Sequence, residues 1–126
     1  MFKVLKFILI IFILTSCAVK EPMISKSATI LIKTPTMRFY DKGFINKYAS
    51  YTQVQIFQVG NLVLDLKVYE DRICQSTFKC LSNKDFNKEF LHSSYEDSFF
   101  KNLIDKNENN IIHRDKKNNI LIKIIK

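Results

Sequence analysis

A chain of 126 residues with only two glycines, two prolines and no tryptophan leaves no room for collagen-like repeats, a long flexible linker or a second substantial core. Twenty basic residues against twelve acidic ones give a formal net charge of +8, a balance suited to anionic surfaces. So few glycines also exclude phosphate-cradling loops and nucleophile elbows. With no zinc-protease helix motif either, no enzyme activity, catalytic residue or cofactor is expected.

The chain opens with Lys3 and Lys6, followed by an unbroken apolar run from Phe7 to Leu14 and then the small residues Thr15 and Ser16 before Cys17. This is the grammar of an export signal, too short for a permanent span, which needs roughly 20 apolar residues. Leu14-Thr15-Ser16-Cys17 resembles the lipobox of bacterial lipoproteins, in which the cysteine is acylated and becomes the new N-terminus. The resemblance implies that residues 1–16 are a removed signal peptide, that Cys17 is the lipidation site and that residues 17–27 are a lipidated tether. Removal of Lys3 and Lys6 leaves a mature net charge of +6. Held outside the cytoplasm, within a Debye length of a membrane, that charge would face headgroups rather than nucleic acid; the other reading is a merely soluble lysine-rich surface. Ala18 is not the aspartate that favours inner-membrane retention in enterobacterial lipoproteins, so by resemblance the protein resides at the outer membrane and faces the periplasm.

Residues 28–126 form a single domain. From Thr29 the apolar period is two, which predicts a first strand that Pro35 stops. Met37 to Lys42 predicts a second strand, ending at a bulge or turn over Asp41-Lys42-Gly43. Tyr51–Val59 and Leu62–Tyr69 predict a hairpin turning on Gly60-Asn61, with Leu62, Leu64, Leu66 and Val68 on one face. Ile73 to Phe78 continues the meander. The period then becomes helical: Phe86, Phe90 and Leu91 follow Asn83 as cap, and Phe99, Phe100, Leu103 and Ile104 follow a Ser94/Asp97 capping box. Ile111–Arg114 and Ile120–Ile125 flank Asp115–Asn119 as a closing hairpin. Strands, then helices, then strands predict an α+β architecture, an antiparallel sheet with short helices on one face.

Cys74 and Cys80 lie close together in an exported domain, where thiols oxidise, and a disulfide between them is expected. The competing metal site would add His92 and His113, but the spacing C-x5-C-x11-H-x20-H lacks the short ligand pairs of structural zinc sites. No metal site is expected. Glu70 and Asp71 are adjacent at a strand end, point to opposite faces and cannot cooperate as acid and base.

The order of these motifs is similar to the LolA/LolB-type lipoprotein-carrier fold, and within it to the outer-membrane receptor branch. The resemblance rests on A-T-I-L-I-K-T-P (Ala28–Pro35), M-R-F-Y (Met37–Tyr40), the hairpin V-Q-I-F-Q-V-G-N-L-V-L-D-L (Val54–Leu66), the helical stretch Asp85–Ile104 and the late hairpin. It implies an incomplete antiparallel barrel capped by helices, with an apolar cavity for the acyl chains of lipoproteins in transit. Phe39, Leu62, Leu64, Leu66, Phe99 and Phe100 would line it. It also implies a protruding membrane-insertion hairpin at Gln58-Val59-Gly60-Asn61, with Val59 at the position that leucine holds in the family. The implied partners are the membrane, through the N-terminal lipid, and other lipoproteins or a periplasmic carrier; no nucleic acid is implied. The other reading is a small envelope-anchored structural or protein-interaction lipoprotein with no carrier activity. A cavity between sheet and helices favours the first reading, a solid core the second.

Overall fold

The computed structural model describes residues 1–13, 21–75 and 79–126, so the proposed lipidation site Cys17 lies outside the described residues. Helix α1 spans Phe2–Ile13. Among the described residues no helix is long and apolar enough to cross a membrane. The strands are β1 (Ile24–Lys33), β2 (Arg38–Lys47), β3 (Thr52–Gln58), β4 (Asn61–Val68), β5 (Arg72–Gln75) and β6 (Lys79–Ser82). After them come α2 (Asn83–Phe90), α3 (Phe99–Ile104), β7 (Asn110–Asp115) and β8 (Ile120–Ile125). The eight strands among the described residues form one antiparallel sheet in the order β6-β5-β4-β3-β2-β1-β8-β7. It is an open sheet, not closed into a barrel, with β6 and β7 as its edges.

The antiparallel order sorts the connections to two ends. The β1–β2, β3–β4 and β7–β8 turns lie at one end, the turn end; Ile24 and the β2–β3 and β4–β5 connections lie at the other. One face of the sheet carries Ile30, Ile32, Ile45, Val54, Ile56, Leu64, Leu66, Val68, Ile122 and Ile124, all buried. Phe86, Leu91, Phe100, Leu103 and Ile104, from α2, α3 and the segment between them, complete this core. Each such fully buried side chain contributes roughly 1.5–3 kcal/mol relative to exposure.

The elements differ from the sequence expectation where tertiary contacts decide. The first strand starts at Ile24, so four residues of the expected tether pair with β2, from Ile24 opposite Lys47 to Ser27 opposite Phe44. The second strand does not stop at Gly43; it runs through it to Lys47. Glycine is needed there for space rather than for a turn, because a Cβ at Gly43 would sit 1.9 Å from the carbonyl oxygen of Gln55 on β3. The tight turn of β3–β4 is Val59-Gly60, one residue earlier than expected, and both residues have positive φ, 51° and 78°. Ser82 rather than Asn83 caps α2, its hydroxyl accepting from the Asp85 N–H at 3.1 Å. The Ser94/Asp97 box does not open α3, since the Ser94 hydroxyl is taken by His92 Nδ1 at 2.7 Å.

Cys74 and Cys80 are directly opposite each other on β5 and β6 and are joined by a disulfide. The bond joins the two four-residue strands at one edge of the sheet, its shortest pair. Cys80→Ser should therefore lower stability by about 2.4 kcal/mol on the loop-entropy estimate, read as a lower melting temperature with the fold retained. A melting temperature identical to wild type would mean that the β5–β6 edge does not need the bond.

Candidate functional site

The tip of the β3–β4 hairpin is the most prominent apolar feature of the body of the protein. Val59 is 95% exposed. Its φ of 51° is a conformation that β-branched residues rarely adopt, and holding it costs on the order of 1–3 kcal/mol. The strain arises because the turn has positive φ at both central positions, as in the type I′ turn that suits right-twisted strands and for which Asn-Gly is the favoured pair. This chain places valine there instead. Just behind the tip, Phe44 and Phe57 meet edge to face with ring centroids 5.9 Å apart, and Leu62 and Val63 are exposed.

A bulge produces part of this patch. Ile56 pairs with Leu64 but Phe57 pairs with Leu62, so Val63 is the extra residue of β4. The expected row Leu62-Leu64-Leu66 is therefore broken. Leu64 and Leu66 face the core, whereas Leu62 sits beside Phe57 on the opposite face and is 47% exposed. Of the other residues expected to line an acyl-chain cavity, Phe100 is buried in the core, and Phe39 and Phe99 are half-buried against it. Leu64, Leu66 and Phe100 belong to one core cluster and are buried in it, at 2%, 1% and 1% exposure.

The helical layer is tied to the sheet by polar contacts at several points. The Thr36 hydroxyl donates to the Glu89 carbonyl at 3.1 Å, and the Thr52 hydroxyl donates to Asp105 Oδ1 at 2.6 Å. The third tie is a cluster that sequence reasoning missed. Tyr95 Oη donates to Asp115 Oδ2 at 2.6 Å and lies 3.0 Å from His113 Nε2. The phenol has one proton, already given to Asp115, so His113 must donate from Nε2 to the phenol oxygen. The sequence signal was the alternation of β7: His113 and Asp115 share the inward phase of buried Ile111.

The hydrogen bond from Tyr95, then those from Asn118, hold the Asp115 carboxyl down at about 2. Burial first, then the bond to Asp115, pushes the Tyr95 phenol well above its ordinary value, and burial outweighs nearby Asp115 in lowering His113. A phenol so hard to ionise and a carboxylate so weakly basic make a strut, not an acid–base pair. His92 does not join it through a hydrogen bond; its ring partner is Ser94. Among the described residues no group of His, Cys, Asp and Glu is placed to hold a metal ion.

Comparison with protein-family models, with curated proteins and with solved structures finds no significant match to this chain.

Because Asp115 is lowered on folding, its contribution to stability is complete above its unfolded value near 4 and is lost as pH falls toward 2. Tyr95→Phe removes the largest cause. It should lower stability at neutral pH and flatten its decline between pH 4 and 2. Thermal melts of both proteins across that window check this, and parallel declines would refute the role of Tyr95.

Proposed function

We propose that this is a lipid-anchored protein of the outer membrane that accepts other lipoproteins from a periplasmic donor and passes them to the bilayer, with Val59 as the residue that enters lipid. The observation that carries the reading is the Val59 tip: a fully exposed valine held at a positive φ that asparagine would occupy with less strain. Stability alone does not favour valine there, whereas insertion into the acyl region gains on the order of 1.5 kcal/mol from the buried side chain. Phe44, Phe57, Leu62 and Val63 extend the same apolar surface behind it. The cargo chains would lie between sheet and helices, the sheet acting as the incomplete barrel of the carrier reading. Leu64, Leu66 and Phe100 would then have to part, and the Thr36, Thr52 and Tyr95 ties would have to yield.

Two variants of the tip separate its roles. Val59→Asn supplies the favoured Asn-Gly turn and should raise the melting temperature, yet slow delivery of a purified acylated lipoprotein to anionic vesicles about tenfold. Val59→Glu should block delivery while the protein stays folded. Normal delivery by both variants would remove the insertion role.

Anchoring is tested independently. Metabolic labelling with an alkyne fatty acid should mark the wild type and not Cys17→Ala. Equal labelling would exclude Cys17 as the lipid site.

The closed packing around Leu64, Leu66 and Phe100 supports the other reading, an envelope-anchored interaction protein without cargo. On that reading purified protein carries no acyl chain by mass spectrometry and binds no apolar probe. Leu64→Ala then behaves as an ordinary core truncation, costing about 2–5 kcal/mol.

A further inference from the structure

The sheet face turned away from the helices carries a second feature, independent of the Val59 tip and on the side opposite the proposed cargo space. Register places Arg38 opposite Lys33, Lys33 opposite Leu121 and Leu121 opposite Arg114, a single row across β2, β1, β8 and β7. Like charges directly opposite in a sheet are destabilising, and Lys33 against Arg38 is such a pair. Among the described residues neither they nor Arg114 and Lys116 form an ion pair. All four line one cleft of about 540 Å³ between the β1–β2 and β7–β8 turns. The one acid there, Asp115, has its carboxylate oxygens occupied by Tyr95 and Asn118.

The next rows along the strands, each about 6.8 Å further on, change character. Leu31 lies opposite Tyr40 and Lys123, Lys123 opposite Ile112, and Thr29 opposite Ile125. These residues line an apolar groove, also of about 540 Å³. Tyr40, Ile112 and Ile125 are 70%, 57% and 39% exposed. The basic cleft and the apolar groove thus lie on adjacent rows of the same strands.

We infer that this face binds one membrane lipid with a phosphate head, the phosphate lying between Lys33, Arg38, Arg114 and Lys116 and the acyl chain along Leu31, Tyr40, Ile112 and Ile125. The argument is complementarity of two kinds in register. Unpaired guanidinium groups suit phosphate oxygens, with which arginine forms paired charge-assisted hydrogen bonds. The adjoining groove matches an acyl chain and would be a poor match for a free anion. The charge repulsion built into the row is relieved when phosphate occupies it.

The test uses the purified full chain and a monomeric lysophosphatidic acid below its micelle concentration, with lysophosphatidylcholine and inorganic phosphate as comparison probes, by calorimetry. Lysophosphatidic acid should bind at least about tenfold more tightly than either comparison. Arg38→Gln with Arg114→Gln should weaken it at least about tenfold while leaving the melting temperature equal or higher, since a repulsion has been removed. Ile112→Asn should weaken the lipid and leave inorganic phosphate unchanged. Val59→Asn should bind as wild type, which separates this site from the tip. Equal binding of the choline lipid, or undiminished binding by the arginine double variant, would overturn the headgroup assignment. Inorganic phosphate binding as tightly as the lipid would overturn the acyl-chain assignment.

Discussion

The structure depends on the pairing of β1 with β8, from Thr29 opposite Ile125 to Lys33 opposite Leu121. Without it, residues 24–82 are a six-stranded meander and the C-terminal hairpin is a separate pair too small to persist alone. To reach β1 from β6, the chain must cross from one edge of the sheet to the other. Residues 83–109 make that crossing over the core face, which is why α2 and α3 lie there and nowhere else. Phe86, Phe100, Leu103 and Ile104 cover the strands they pass. The pairing is highly non-local, so the loop must be closed before the crossover residues gain their full contacts.

The two faces have divided roles. On the helix side, apolar packing is closed by polar ties at Thr36, Thr52 and Tyr95. On the other side, near the Ile24 end, Ser25, Asn46, Gln53 and Asp65 form a hydrogen-bonded ladder across four strands. Toward the turn end the same face becomes aromatic and aliphatic at Phe44, Phe57, Tyr40 and Ile112. Cross-strand side-chain pairs account for the polar end. The apolar end has the Phe44–Phe57 pair but leaves Tyr40 and Ile112 exposed, and in both proposals made for this protein a lipid would cover apolar side chains at this end.

Much of the fold was legible in the sequence because its signals are local. The β7–β8 hairpin follows from apolar alternation around Asp115–Asn119, and the Cys74–Cys80 bond was expected from short spacing together with the proposed export. What escaped depends on register. Gly43 reads as a stop, yet it is a strand residue that lets Gln55 come close. Leu62 reads as inward, yet the extra residue Val63 turns it over. The Tyr95, His113 and Asp115 cluster, like the row of Arg38, Lys33 and Arg114, joins positions that no sequence spacing places side by side.

The sorting of turns to one end would constrain the posture of a lipid-anchored domain. A ten-residue strand such as β1 is about 33 Å long, whereas the seven steps along the chain from Cys17 to Ile24 span at most about 24 Å fully extended. A lipid on Cys17 would therefore moor the domain from the end remote from Val59. Standing upright, the domain would hold its tip beyond the leash, reaching outward to whatever approaches from the aqueous side. Lying down, it would bring Val59, the phenylalanine pair and the basic row to its own bilayer together. On the proposed carrier function, one short leash would turn a change of tilt into a choice between receiving and delivering.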